Sequence, residues 1–186
     1  GVCALVGSST MKEERYADNL RFFRTSEKVF ESSEPIYYPD DEVTLRLISY
    51  YPYQEEGVNM GESTMSVAVE TDQNLSAGYF CSDFLVASQN LQSAPKGAIA
   101  LHYDHKFFKL KIALVGKEGE ELQGILDADP KLSVCGFYTK AIYDFQKETY
   151  SAFSNEKSIT PAGKWEIQGD RLSGKEVILI PQETTL

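Results

Sequence analysis

KGAIALHYDHKFFKLKIALV, residues 96–115, carries the clearest structural signal in the chain. Phe108, Leu110, Ile112 and Leu114 fall on one side of a two-residue period, while Lys109, Lys111 and Ala113 fall on the other, which predicts a half-buried strand. Just before it, Ala98 to Tyr103 places Ile99, Leu101 and Tyr103 together as a second strand. Asp104-His105-Lys106 lacks the Asn-Gly or Gly-X chemistry of a tight hairpin. A bend that carries the chain from one sheet to a facing sheet is therefore expected there. Upstream, Met65, Val67 and Val69 alternate in the same way until Thr71-Asp72-Gln73-Asn74. At that break the side chains of Asp72 and Gln73 can satisfy backbone groups that a ladder no longer serves. An apolar knot follows from Tyr79 to Ala87, in which Ser82-Asp83 is placed to cap the start of a helical turn over Phe84 to Ala87. The expectation is a short helical plug over one end of the core.

Working outward, Val2 to Val6 reads as a strand closed by Gly7-Ser8-Ser9. Met11 to Tyr16 is charged and reads as a polar excursion. Leu20 to Phe30 reads as two short strands with Leu20, Phe22, Phe23, Val29 and Phe30 as core anchors. Ile36-Tyr37-Tyr38 leads into a Pro39-Asp40-Asp41 turn. Val43 to Tyr50 is a half-buried strand, with Val43, Leu45 and Leu47 opposite Thr44 and Arg46, and it stops at Tyr51-Pro52-Tyr53. Towards the other end come Leu132 to Tyr138, Ala141 to Phe145, Thr149 to Phe153 and Trp165 to Ile167. Turn residues recur every ~8 to 12 positions, the spacing of an all-β sandwich. Val177 to Gln182 is an apolar run closed by Pro181. It is either a central strand or a segment covered by something outside this chain.

Composition narrows the function classes. A chain of 186 residues suits a single domain with a real core. It carries 28 acidic against 18 basic residues, a formal net charge of -10, which argues against nucleic acid and anionic membrane surfaces as partners. Eleven Tyr and ten Phe against one Trp favour half-buried pleated surfaces. Cys3, Cys81 and Cys135 have neither metal-ligand spacing nor an even count, so buried free thiols are expected. No apolar run is long enough to span a membrane. The chain opens at Gly1, as a processed protein or a fragment would, so any export signal lies outside it.

Reaction chemistry finds little purchase. The two histidines, His102 and His105, flank a turn with Asp104 between them, and strand alternation does not bring both rings reliably to one face; His105 reads as a corner residue. Neither a G-x-S-x-G elbow nor a phosphate-binding glycine loop is present. Asp40, Asp41, Glu42, Asp127 and Asp129 have the chemistry of a carboxylate pair, but their turn-like settings call for such residues on conformational grounds. No catalytic group, metal site or cofactor is expected. Tyr50, Tyr51 and Tyr53, read as exposed at a strand end, offer a possible stacking surface for sugars.

The motifs in order resemble a known family. T-D-Q-N (Thr71 to Asn74), S-D-F-L-V-A (Ser82 to Ala87) and Y-D-H-K-F-F-K-L-K-I (Tyr103 to Ile112), flanked by Y-Y-P-D-D-E-V-T-L-R-L-I-S-Y-Y-P-Y (Tyr37 to Tyr53) and I-L-I-P-Q (Ile178 to Gln182), are similar to the fimbrillin-like proteins, subunits of type V pili and their relatives. The resemblance implies an all-β, transthyretin-like Greek-key β-sandwich of about seven strands. It gives Asp72, Gln73, Asp83, Leu85, Tyr103, His105 and Lys109 structural roles in the family motifs. It further implies a non-enzymatic structural or adhesive pilus subunit, exported as a lipoprotein precursor to the outer-membrane surface. Such a subunit would join other pilus subunits by donor-strand exchange and would also be open to host or bacterial surface ligands. The alternative is a cell-surface carbohydrate-binding module on the same sandwich. Residues 1–175 correspond to an N-terminal domain, and 176–186 to its last strand or to the start of a linker, in either a fragment or a short divergent member. Arg15, Arg21 and Arg24 are available for trypsin-like processing, and no motif selects one.

Overall fold

The computed structural model describes residues 1–8, 11–27, 29–39 and 43–183, with the side chains of Ser8 and of residues 11–13 left aside. Among these residues the chain forms fourteen strands and two short helices, an all-β, sandwich-like fold. That exceeds the seven strands the resemblance implies, because several segments are only two to four residues long. The chain divides into two compact units. Gly1–Ser66, Phe84–Lys106 and Asp144–Thr149 make the first, and Val67–Asp83, Phe107–Tyr143 and Tyr150–Leu186 make the second.

The first unit holds β1 (Val2–Ser8), β2 (Met11–Leu20), the pair β3 (Phe23–Ser26) and β4 (Val29–Glu31), β5 (Thr44–Tyr51), β6 (Val58–Asn59), the start of β7 (Thr64–Ala68), β8 (Leu85–Leu91) and β9 (Asp104–His105). Its main sheet has the order β2-β1-β5-β8-β9, and its described pairings are antiparallel. Both faces of the sheet are covered. Cys3, Leu5 and Ile48 pack with Met60 on one side, joined by Val58 and Phe145. Ala4, Leu45, Leu47 and Leu91 pack on the other, joined by Ile36, Tyr38 and Ile99. Double cover explains why Val2 to Leu5 are all buried, and why burial in β5 extends from Leu47 through Tyr50 rather than alternating.

Several local expectations fail here for tertiary reasons. Met11 to Tyr16 is no excursion but the first part of β2, paired along β1. Register shifts between Val2 and Ala4, Ala4 and Leu5, and Val6 and Ser8 break any period of two in the pairing. Leu20 to Phe30 does yield two short strands, but Phe23, Val29 and Phe30 are exposed rather than anchored in a core. Ala98 to Tyr103 forms no strand, and the strand lies instead at Asp104–His105, where Leu85 pairs with His105 and Val86 with Asp104. The expected Pro39-Asp40-Asp41 turn reaches beyond the described residues, as do the carboxylates Asp40, Asp41 and Glu42.

The second unit continues β7 and adds α1 (Ser76–Cys81), β10 (Phe108–Val115), α2 (Leu122–Asp127), β11 (Tyr138–Asp144), β12 (Thr149–Glu156), β13 (Glu166–Gln168) and β14 (Arg171–Leu179). The helical plug exists but precedes its expected place: Ser82 closes α1, and Phe84 to Ala87 run into β8. Serine serves either helix end, and here its Oγ donates to Gly78 O at 2.7 Å and accepts from Glu70 N at 2.8 Å. Leu132 to Tyr138 is irregular up to Phe137, with a single bridge from Val134 to Ile159. Cys3 is buried, but Cys81 and Cys135 are exposed free thiols, contrary to the expected interior placement.

One three-stranded sheet has the order β10-β14-β13, so the apolar end segment is its central strand. Val177, Ile178, Leu179 and Ile180 are almost wholly buried, and residues 176–179 continue β14 without a break. A close backbone approach fixes the middle of this strand. Gly163 and Gly174 both adopt left-handed φ, at 85° and 101°; a Cβ on Gly163 would lie 2.0 Å from Gly174 O, and one on Gly174 would lie 2.2 Å from Lys164 O. Gly174→Ala is therefore expected to lower unfolding free energy by at least about 1 kcal/mol in urea denaturation. Gly97→Ala, at a position with no atom within 4 Å of the added carbon, is the control and should stay within about 0.5 kcal/mol of the parent.

Candidate functional site

The residues singled out by the sequence do not converge on one reaction centre. In the second unit, Asp72 Oδ1 accepts from Asn74 N at 3.0 Å, a local turn that lets the chain leave its strand. Gln73 is fully buried. Its Oε1 accepts from Ile178 N at 2.8 Å, and its Nε2 donates to Ile178 O at 2.8 Å and to Glu70 O at 3.3 Å. The side-chain amide thus pairs with β14 as a peptide group of a neighbouring strand would. Gln73 N donates to Thr160 O at 3.0 Å, beside a parallel bridge between Asp72 and Thr160. The turn after it is tight: a Cβ on Gly78 would lie 2.1 Å from Asp72 O.

Lys109 projects from β10 towards Glu176 of β14, with Nζ 3.7 Å from Oε2, and lies 6.0 Å from the Tyr79 ring centroid. The Tyr79 hydroxyl donates to Glu176 Oε1. Burial first, and then the bond to Glu176, raise the Tyr79 pKa. The neighbouring Tyr79, followed by the charge of Glu176, raises that of Lys109. This is a half-exposed ionic brace across two strands. Asp83 lies two residues before β8 and Leu85 is its first residue; Asp83 N donates to Phe80 O at 3.2 Å.

In the first unit, the Tyr103 hydroxyl lies 2.5 Å from Ser49 Oγ, while His102 and His105 are exposed. Among the described residues, no group of three or more His, Cys, Asp or Glu is placed to hold a metal ion. Asp127 and Asp129 are exposed and locally engaged: Gln123 Nε2 donates to Asp127 Oδ1 at 2.7 Å, and Lys131 pairs with Asp129 and lowers its pKa. The three tyrosines at the end of β5 differ in exposure. Tyr50, expected at the surface, is buried; its hydroxyl donates to Asn19 Oδ1 and has Gln54 O 3.1 Å away. The Tyr53 ring faces the Arg21 guanidinium at 5.3 Å, which leaves Tyr51 as the exposed member.

What sequence reasoning missed is exposure on β10. This strand is an edge of its sheet, and its apolar side is open: Phe108 is 39% and Leu110 40% exposed, with Ile112 and Leu114 half-buried. Eight residues of edge backbone therefore run beside apolar side chains that their own unit leaves accessible. Alternation marks which residues share a face, but not whether anything covers it.

The fimbrillin-like family profile matches residues 1–186. The chain belongs to the fimbrillin-like family. It is also similar to the crystal structure of a protein proposed to act in cell adhesion, from Bacteroides ovatus ATCC 8483. The TM-score is 0.66 at 14% identity, over 99% of this chain and 68% of that one. At that identity the likeness speaks to the fold. No match is found among curated proteins. Membership of the fimbrillin-like family points to a structural role in pili or surface adhesion.

Two outcomes follow from the buried amide and the buried phenol. Gln73→Ala strips Ile178 of both partners and is expected to cost about 2–4 kcal/mol in chemical denaturation. Tyr50, whose pKa burial pushes up from 10.0 to about 12, holds its proton in the folded chain after the unfolded chain has released it. Its contribution is complete below pH 10 and is lost as pH rises towards about 12. Tyr50→Phe should flatten that alkaline fall in a stability-versus-pH series.

Proposed function

We propose that this fimbrillin-like chain is a non-enzymatic structural or adhesive subunit of a cell-surface pilus, associated with the outer membrane, and that it assembles with other subunits by donor-strand exchange. The observation that carries the reading is the open apolar edge of β10. An edge strand offers unpaired N–H and C=O groups, and an extended segment of another subunit can add to them while its alternate side chains cover Phe108 and Leu110. Eight residues of β10 can accept a strand of similar length. At about 0.5–1.5 kcal/mol net per backbone hydrogen bond, such an addition is strong without any covalent step.

The same strand limits indiscriminate pairing. Lys109 and Lys111 are exposed on its other side, and edge lysines disfavour apposition of two identical strands by charge repulsion. A donor with acidic or neutral residues at the opposing positions is therefore preferred. No reaction step enters this function, and the motif residues around Gln73 serve by holding the acceptor sheet in shape. In this reading the subunit reaches the cell surface as an outer-membrane lipoprotein precursor.

The test is assembly. The exported and processed protein should form ladders that resist heat and detergent, and persistent monomer after processing would count against polymerisation. Phe108→Glu with Leu110→Glu, both at exposed positions, should abolish the ladders while thermal unfolding of the isolated chain moves little.

A further inference from the structure

The first unit holds a cleft of about 400 Å³, and all of its lining residues belong to that unit. Small-molecule sites run from roughly 300 to 1,000 Å³. The floor is apolar. Leu5 and Met60 are both buried members of one core cluster, so the cleft cuts down to the surface of the core.

Polar groups reach this floor from three separate parts of the chain. Arg15 stands directly opposite Leu5 in the pairing of β2 with β1, which puts it on the face that Leu5 shares with the floor, and Glu14 precedes it on the rim. Gly61 and Ser63 come from the turn between β6 and β7, and Gln146 from the turn between β11 and β12. Both turns are fixed. Ser63 N donates to Met60 O at 3.3 Å, and Ser63 O accepts from Phe145 N at 2.8 Å, which ties one turn to the other. Asp144 Oδ1 accepts from Gln146 N and from Lys147 N, each at 2.9 Å, and closes the second turn.

Ser63 is the unusual member. It is buried and holds a left-handed φ of 55°, a conformation that a side chain disfavours and that recurs where ligands are gripped. Neither its hydroxyl nor the Gln146 side-chain amide has a hydrogen-bond partner among the described residues, so both are available at the cleft.

The charges on the lining narrow the ligand. Arg15 Nη1 donates to Asp18 Oδ2 at 2.8 Å, and Glu14 stands beside it, so an anion would meet a compensated guanidinium and a repelling carboxylate. A cation would meet the guanidinium. The Arg15–Asp18 pair is exposed and therefore weak, so Arg15 can turn to an uncharged ligand at little cost. Guanidinium, carboxylate, carboxamide and hydroxyl over an apolar floor together suit a molecule whose adjacent hydroxyls both donate and accept and whose other face is C–H. We infer that this cleft binds a neutral sugar residue of a surface glycan, with Arg15, Glu14, Gln146 and Ser63 meeting its hydroxyls and Leu5 and Met60 under its C–H face. The site is distinct from the tyrosines at the end of β5, and it rests on and deepens the adhesive part of the function proposed above.

The test uses the 186-residue chain with the methyl glycosides of mannose, galactose, fucose and N-acetylglucosamine, read by saturation-transfer NMR. At least one glycoside should receive saturation, with a Kd on the order of 1 mM for so small a ligand. Arg15→Ala and Gln146→Ala, both at exposed positions, should each weaken it about ten-fold through lost hydrogen bonds. Arg24→Ala, outside the cleft, should leave it unchanged, and thermal unfolding checks that every variant stays folded. Saturation of no glycoside, saturation of alanine in their place, or binding indifferent to both cleft variants overturns the proposal. Ladders formed by a chain that binds no glycoside would leave pilus assembly standing and remove the cleft. Glycoside binding by a chain that never forms ladders would do the reverse.

Discussion

The second unit depends on one buried side-chain amide. Gln73 sits where the chain has left β7, and it supplies β14 with the pair of hydrogen bonds that a neighbouring peptide would have given Ile178. Without it, the buried end of β14 would carry an unpaired donor and acceptor at Ile178, each costing about 1–3 kcal/mol. Other local details follow from holding Gln73 in place. Asp72 folds the chain back through Asn74, Gly78 leaves room for the Asp72 carbonyl, and Ser82 Oγ joins the end of α1 to Glu70 N. Three polar side chains and a glycine thus replace a missing piece of ladder.

That arrangement shows why some of the fold was legible in the sequence and some was not. Val177 to Ile180 could be read as a central strand because four consecutive apolar residues need cover on both faces. The break at Asp72-Gln73 could be read because those side chains are able to stand in for backbone. β2 could not. Its residues are polar and its pairing carries repeated register shifts, so it is a strand only because β1 offers it an edge. Ser82 was ambiguous because a serine oxygen serves the start and the end of a helix, and the deciding partners, Gly78 and Glu70, lie before it in the chain.

Exposure was the harder quantity. Phe23 and Phe30 read as anchors and Tyr50 as a surface residue, yet the placement is the reverse. Periodicity assigns residues to faces but says nothing about what lies across from each face, and that depends on contacts distant in sequence. Tyr50 meets Asn19, thirty-one residues earlier, and its hydroxyl is satisfied in the interior for that reason. Lys109 was legible as a conspicuous residue but not as a brace, since Glu176 and Tyr79 are far from it along the chain.

Two of the long edge strands, β2 and β10, handle the hazard of an open edge differently. β2 is ten residues long, includes Glu14, Arg15 and Asp18 in its sequence, and pairs Arg15 with Asp18 at 2.8 Å, so its side chains favour water. β10 keeps lysines on one side and leaves Phe108 and Leu110 open on the other. A chain that only had to stay soluble would gain by placing charge on both sides of β10, since exposed apolar edges invite aggregation. Asymmetry of this kind suits an edge that must reject its own copy and still accept one correct strand: like charge raises the cost of the wrong partner, and the apolar row rewards a segment whose alternate side chains fit it.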